Sequence, residues 1–139
     1  MPALARWYVK TSFVYLMASL MVGVALGARD VLLSSPMIDA LLPVYFHLFM
    51  VGWVAQLIFG VAYWMFPTYS REHPRGSEKL AAATYVMLNA GLLLRAIGEP
   101  LNTLSPAPAW GWTLVVSAGL QWLAGVVFVA NTWGRVRGR

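Results

Sequence analysis

Apolar residues fill four long stretches of the chain, and shorter, more polar connections separate them. Each stretch is long enough to cross a bilayer as a helix, which takes about 20 mostly apolar residues. Because the connections are short, consecutive helices are expected to run antiparallel. The pattern therefore predicts one all-α domain over residues 1–139, an antiparallel bundle of four transmembrane helices at about 7–28, 42–66, 80–98 and 109–133.

Composition supports lipid as the solvent. The chain is 60% hydrophobic and 11% charged, whereas an average soluble domain has about 25% charged residues. A soluble fold of this size cannot bury so much apolar surface. The first stretch has one alternative, a secretory signal peptide with a basic start at Arg6 and Lys10 and cleavage after Gly27, but its length and small-residue face favour a membrane span.

The positions of the basic residues predict the orientation of the chain in the membrane. The first and third connections hold Arg29, Asp30, Asp39 and Glu99, and most other basic residues lie at the termini or in the middle connection: Arg6, Lys10, Arg71, Arg75, Lys79, Arg135, Arg137 and Arg139. By the positive-inside rule, both termini and the middle connection are cytoplasmic. We predict an integral protein of the cytoplasmic membrane of a prokaryote. The net charge of +5 reflects this topology, so we predict no nucleic-acid partner.

Several function classes lose support. Cysteine is absent, which excludes disulfides, Fe–S clusters and covalently attached haem. No nucleophile–base set predicts catalysis, so we name no catalytic residue, and any enzyme activity would be redox chemistry at a haem. A proton-coupled transporter needs a carboxylate inside the membrane, and Asp30, Asp39 and Glu99 are predicted in connections or at span ends.

Ionisable residues inside a span are functional candidates because they are costly in lipid. His47 lies about 8 Å into the second span at the helical rise per residue, and Arg95 lies at a similar depth in the third. These two side chains therefore share one layer near the outer face. The remaining polar residues predicted inside the spans are Gln56, Asn89, Ser117 and Gln121.

The second span has two faces. Small residues and an amide form a seam for helix packing, made of Gly52, Gln56 and Gly60. At 100° per residue, the opposite face carries His47 with apolar neighbours, namely Met50, Val51, Val54 and Ile58. A neutral imidazole can bind haem iron axially, and a nearby cation can meet the propionates. His47 is therefore a candidate iron ligand for haem b, with Arg95 on the propionates.

Structural roles compete with these functions. His47 can bridge two helices by a hydrogen bond, and Arg95 can reach the headgroups or pair with Glu99 one turn away. The amides are expected to hold helices together, and His73 in the polar middle connection is expected to be solvated.

The stretch FHLFMVGWVAQLIFGVAYWMFP resembles the tenth transmembrane helix of the catalytic subunit of haem–copper oxidases and nitric oxide reductases. His47 falls on the second histidine of that helix, which in the family is an axial ligand of the low-spin haem. Arg95 loosely matches the arginines that hold propionates in the family. The resemblance covers about residues 43–100 and also includes Gly52, Gly60, Trp64, Phe66 and Pro67.

The chain departs from this family where oxygen chemistry takes place. Tyr45 replaces the first histidine of the pair, the ligand of the high-spin haem, and the copper-binding histidines have no counterparts. The resemblance therefore implies a four-helix relative without a haem–copper centre.

Two ligation states remain open at this point. His47 of a second copy can supply the other axial ligand, with the haem at a two-fold interface; this arrangement suits electron transfer. Alternatively the iron is five-coordinate, with Tyr45 or a methionine of the first span nearby, and binds or senses NO, O2 or CO. The alternative to any haem function is a cofactor-free accessory or assembly subunit of a respiratory membrane complex.

Overall fold

Four long helices cross the molecule, in a computed structural model that describes residues 1–31, 35–69 and 74–136. All four are long and apolar enough to span a membrane, which confirms the predicted all-α, four-span fold. His73 and three of the basic residues, Arg71, Arg137 and Arg139, lie outside the described residues. The elements are α1 (Ala3–Ala28), α2 (Pro36–Asp39), α3 (Leu42–His47), a π-helical segment (Leu48–Ala55), α4 (Gln56–Met65), α5 (Glu78–Leu104), α6 (Pro108–Thr132) and a final 3₁₀ turn (Trp133–Arg135).

The ends of these helices follow from local side-chain chemistry. The Ser35 hydroxyl accepts the N–H of Met37 before the short helix α2, and the Ser77 hydroxyl accepts the N–H of Leu80 at the start of α5. Both serines are N-caps, and serine is among the residues preferred at that position. Helix α4 stops at Met65, two residues before Pro67.

The second span is not a uniform α-helix. Helices α3 and α4 are joined by the π-helical segment, which begins directly after His47 and ends directly before Gln56. A π-helix has i→i+5 hydrogen bonds and a wider turn, and it is a rare element that frequently occurs at functional sites. The wider turn shifts the residues that follow it around the axis, so the α-helical period alone does not define the faces of this span.

Helix α1 runs antiparallel to the second span along the glycine seam. A Cβ atom at Gly52 would lie 2.7 Å from Cγ of Tyr15, and one at Gly60 would lie 2.6 Å from Cβ of Tyr8. The later glycine meets the earlier tyrosine, which defines the antiparallel order. The predicted packing seam is therefore confirmed, since only glycine lets the two backbones come this close.

Helices α5 and α6 form the most extensive pair of the bundle and are also antiparallel. Gly91 of α5 lies against Gln121 and the Ser117 carbonyl of α6, and Gly98 lies against Leu114. The start of α1 and the final 3₁₀ turn lie at the end of the bundle where the second span is connected to α5. Ala5 packs with Tyr63 of α4 and Ala81 of α5, and Nε of Arg135 donates to the Pro67 carbonyl. We call this the loop end of the bundle; His47 lies at the opposite end.

Helix α5 is longer than predicted. The sequence placed its end near Gly98, but the helix continues through a buried proline, Pro100, to Leu104. The predicted end near residue 98 is therefore wrong, since Pro100 lies within the helix and does not end it. As a consequence Glu99 lies inside the helix and is buried.

Candidate functional site

His47 is held in one orientation by its own helix. Its Nδ1 atom lies 2.9 Å from the Pro43 carbonyl oxygen, one turn earlier. Since a carbonyl can only accept, Nδ1 carries the proton in the neutral ring and Nε2 has a free lone pair. Nε2 makes no hydrogen bond to any residue that the structure describes, and the side chain is 31% exposed.

The carboxylate of Glu99 joins His47 to Arg95. One oxygen, Oε1, lies 2.8 Å from Nη1 of Arg95 and 3.6 Å from Nδ1 of His47. The first distance is a charge-assisted hydrogen bond, and the second is an electrostatic approach to the Nδ1–H edge. The sequence prediction that His47 and Arg95 share one layer is therefore confirmed, and Glu99 is the residue that connects them.

The second carboxylate oxygen is not satisfied by the protein. Oε2 of Glu99 is buried and has no hydrogen-bond partner among the described residues. A buried acceptor without a donor costs free energy. The charge of the carboxylate is nevertheless compensated, because Arg95 is adjacent and largely buried at 18% exposure.

Helix α6 extends this cluster through Ser117. The Ser117 hydroxyl donates to the Gly91 carbonyl at 2.7 Å and accepts from Nε2 of Gln121 at 3.1 Å. Nε of Arg95 also lies 3.4 Å from this hydroxyl. Arg95 therefore follows the pairing alternative, with one guanidinium N–H on Glu99 and another on Ser117.

The remaining candidates lie around the start of the second span but do not share one environment. The ring of Tyr45 packs against Gly23 of α1. Met50 is 54% exposed, whereas Val51 packs against the core cluster around Tyr15, and Val54 is half-buried. Of the four predicted apolar neighbours of His47, Met50 and Ile58 are therefore exposed, whereas Val51 and Val54 are not.

The buried position of Glu99 corrects one argument from sequence. Transport was disfavoured because every carboxylate was placed in a connection or at a span end, and that placement was wrong for Glu99. Its ion pair with Arg95 gives this carboxylate a structural role, however, since each charge neutralises the other in a poorly solvated layer.

A metal site built from protein ligands alone has little support. Within residues 1–31, 35–69 and 74–136, no three His, Asp or Glu side chains come together. Haem iron makes a smaller demand on the protein, because the porphyrin supplies four nitrogens and the chain needs to supply only an axial ligand. In this cluster the residue that could act as such an axial ligand is His47, through Nε2.

Amides and a guanidinium elsewhere in the bundle add information that the sequence did not give. Asn89 accepts from the Tyr15 hydroxyl at 2.8 Å, as expected for an amide between helices. Gln56 is fully buried, yet neither amide atom has a partner among the described residues. Arg135, taken from sequence as a cytoplasmic surface charge, is 1% exposed; no local signal marks it, because its partners are distant in the chain.

The fold and this cluster define a four-span helical membrane protein with a histidine–glutamate–arginine layer at one end. Comparisons with protein-family models, with curated proteins and with solved structures found no match to this chain.

Proposed function

We propose that this chain is a small membrane haem-b protein in which Nε2 of His47 is an axial iron ligand. The observation that carries the proposal is the state of the imidazole: Nδ1 is bound to the Pro43 carbonyl while Nε2 is free on a partly exposed ring. Histidine ligands of metals almost always donate their other ring N–H to a carbonyl or carboxylate, which fixes the tautomer and orients the ring. Bound haem would supply one-electron chemistry or a site for a diatomic gas.

Glu99 and Arg95 have defined roles in this proposal. The Glu99 carboxylate, 3.6 Å from the Nδ1–H edge, increases the electron-donating strength of the imidazole. Arg95 uses Nη1 on Glu99 and Nε on Ser117, and its remaining Nη2 group can meet a propionate. Phe46 and Met50, which lie one residue before and three residues after His47, are exposed and apolar and suit the porphyrin plane.

The test is an absorption spectrum of the full chain purified in detergent with haem supplied during expression. The wild-type protein is expected to show a Soret band, His47→Ala to lose it, and His73→Ala, the only other histidine substitution the chain offers, to keep it. Added imidazole should restore haem binding to His47→Ala. Colourless wild-type protein, or equal haem in both variants, would refute the proposal and favour the accessory-subunit alternative.

A spectrum of the same purified protein distinguishes five-coordinate haem iron from iron with two axial imidazoles. Carbon monoxide added to the reduced protein shifts the Soret band at once if the iron has an open position. A protein with two axial imidazoles does not respond, and it would contain one haem for two chains if His47 of a second copy is the other ligand.

We also propose that the loop end of the bundle faces the cytoplasm. The support is the positive-inside rule applied to Arg6, Lys10, Arg75 and Lys79, which all belong to that end. Because the chain has no cysteine, single cysteines report sidedness cleanly. In intact cells an impermeant maleimide should label Ser105→Cys and spare Lys79→Cys; the reverse pattern would overturn the orientation.

A further inference from the structure

A cavity of about 740 Å³ opens at the loop end, at the start of α5. Its volume lies in the range of small-molecule sites, roughly 300–1,000 Å³. Its lining combines apolar surface with charged groups, namely two cations, Arg75 and Lys79, and one carboxylate, Glu78. The cavity is far from His47, so what it binds does not depend on the proposed haem.

The two cations that line the cavity have no carboxylate partner in the part of the chain that the structure describes. Neither Arg75 nor Lys79 forms a salt bridge with a described residue, whereas Arg29 and Arg95 both have carboxylate partners. The start of α5 adds backbone donors, because the Ser77 hydroxyl takes only the N–H of Leu80 and the first N–H groups of a helix have no acceptor within it. The two cations and the unpaired backbone N–H groups favour the binding of an anion.

A third cation, Arg135, contacts a residue that lines the cavity. The buried guanidinium of Arg135 donates to the Arg75 carbonyl at 3.4 Å, and its other described partners are carbonyl oxygens and the ring faces of Tyr63 and Phe66. None of these carries a negative charge. Among the described residues at this cavity, the three cations Arg75, Lys79 and Arg135 outnumber the one carboxylate, Glu78. A buried charge such as that of Arg135 is stabilised by a nearby counter-ion.

We propose that this cavity binds the phosphate of an anionic lipid headgroup. A lipid is the source that the position favours, because the cavity lies at the start of the membrane-spanning helix α5, where Ser77 bonds to Asn131 near the end of α6. The exposed Tyr69 also lines the cavity. Basic residues next to a span bind anionic lipids through their charge, and here a cavity gives that attraction a fixed place. Phosphatidylglycerol, with one net negative charge, is the probe that fits.

The experiment counts lipids that stay bound to the full chain. The protein is reconstituted in nanodiscs of phosphatidylcholine with a minor fraction of phosphatidylglycerol. It is then released from the nanodiscs in the mass spectrometer, and native mass spectrometry measures the mass of the protein with its bound lipids. The test variant is Arg75→Gln with Lys79→Gln. The matched control is Arg6→Gln with Lys10→Gln, which removes two exposed cations from the same end of the bundle.

Wild type and the control are expected to retain one phosphatidylglycerol for each chain. The test variant should bind it about 30-fold more weakly, and Lys79→Gln alone about fivefold more weakly, since each cation contributes a similar share. Equal loss in both double variants, or no loss in either, would show general surface attraction and overturn the proposal. If millimolar inorganic phosphate raises the melting temperature as much as the lipid does, the ligand is free phosphate and the lipid assignment is wrong.

Discussion

The guanidinium of Arg135 donates a 2.7 Å hydrogen bond to the carbonyl of Phe66, which lies 69 residues earlier in the chain. The same side chain also reaches the carbonyls of Tyr63, Pro67 and Arg75. The last carbonyl groups of a helix have no donor within it, and that end carries the negative pole of the helix dipole. One cation therefore closes the end of α4 and fixes the final turn against it.

Replacement of Arg135 by alanine is expected to lower the free energy of unfolding by about 3 kcal/mol, because several buried carbonyls lose a charged donor at once. Arg135→Lys should recover only part of this loss, since an ammonium group cannot reach all four acceptors. Unfolding of the detergent-solubilised protein by heat or denaturant measures the change.

The control for this prediction is Arg29→Ala. Arg29 has exposed carboxylate partners at 3.6 and 3.4 Å, and surface pairs contribute less than about 1 kcal/mol. Similar losses at Arg135 and Arg29 would mean that the Arg135 contacts do not stabilise the fold.

The burial of Arg135 could not be predicted from the sequence. A basic residue after the last apolar stretch predicts orientation, and nothing in its neighbourhood of the chain marks burial. Its acceptors are carbonyl groups 60 to 72 residues away, and carbonyls belong to every residue. Only the packing of α6 against the end of α4 selects them.

The packing face of the second span, in contrast, was predicted from the sequence, and for a physical reason. Glycines at Gly52 and Gly60 with Gln56 between them form a pattern of small residues at helical spacing, and small residues indicate close packing in a membrane. The π-helical segment had no such signal, because its residues are apolar on all sides. The position of Glu99 was also missed, since the sequence gives no sign that Pro100 stays within the helix.

The glycine seam gives a second prediction. Gly60→Ala places a methyl group 2.6 Å from Cβ of Tyr8, and Gly52→Ala places one 2.7 Å from Cγ of Tyr15. Both contacts are shorter than van der Waals distance, so each variant should lose about 1–3 kcal/mol of stability through overpacking. The melting temperature of the purified variants reports the loss.

Gly119→Ala is the matched substitution in an open position, since a Cβ there meets nothing within 4 Å. It should leave stability unchanged or raise it by up to about 1 kcal/mol, because alanine is the better helix former. If Gly60→Ala were as stable as Gly119→Ala, helix α1 could not pack on the second span as described.

The Arg95–Glu99 pair gives a third prediction, on the cost of an isolated charge. Arg95→Met leaves a carboxylate that is 9% exposed without its partner, and Glu99→Leu leaves the guanidinium alone. Each single variant should lose about 3 kcal/mol or more, while the double variant recovers most of the loss because no buried charge remains. A double-mutant cycle of unfolding free energies measures the coupling, and additive losses would mean that the two charges do not interact.

Gln56 gives the last prediction, through a comparison of two amides. Gln56 is fully buried and makes no hydrogen bond to a described residue, so the protein retains the desolvation cost of the amide without a compensating bond. Gln56→Leu keeps a similar volume and removes that cost, and the free energy of unfolding should stay constant or rise by about 1 kcal/mol. Asn89→Leu, in contrast, removes the acceptor of the Tyr15 hydroxyl and should lower stability by about 1–2 kcal/mol. Thermal unfolding of both variants in the same detergent gives the two signs. A loss at Gln56 as large as that at Asn89 would show that the Gln56 amide has a partner, such as a buried water molecule, in the folded protein.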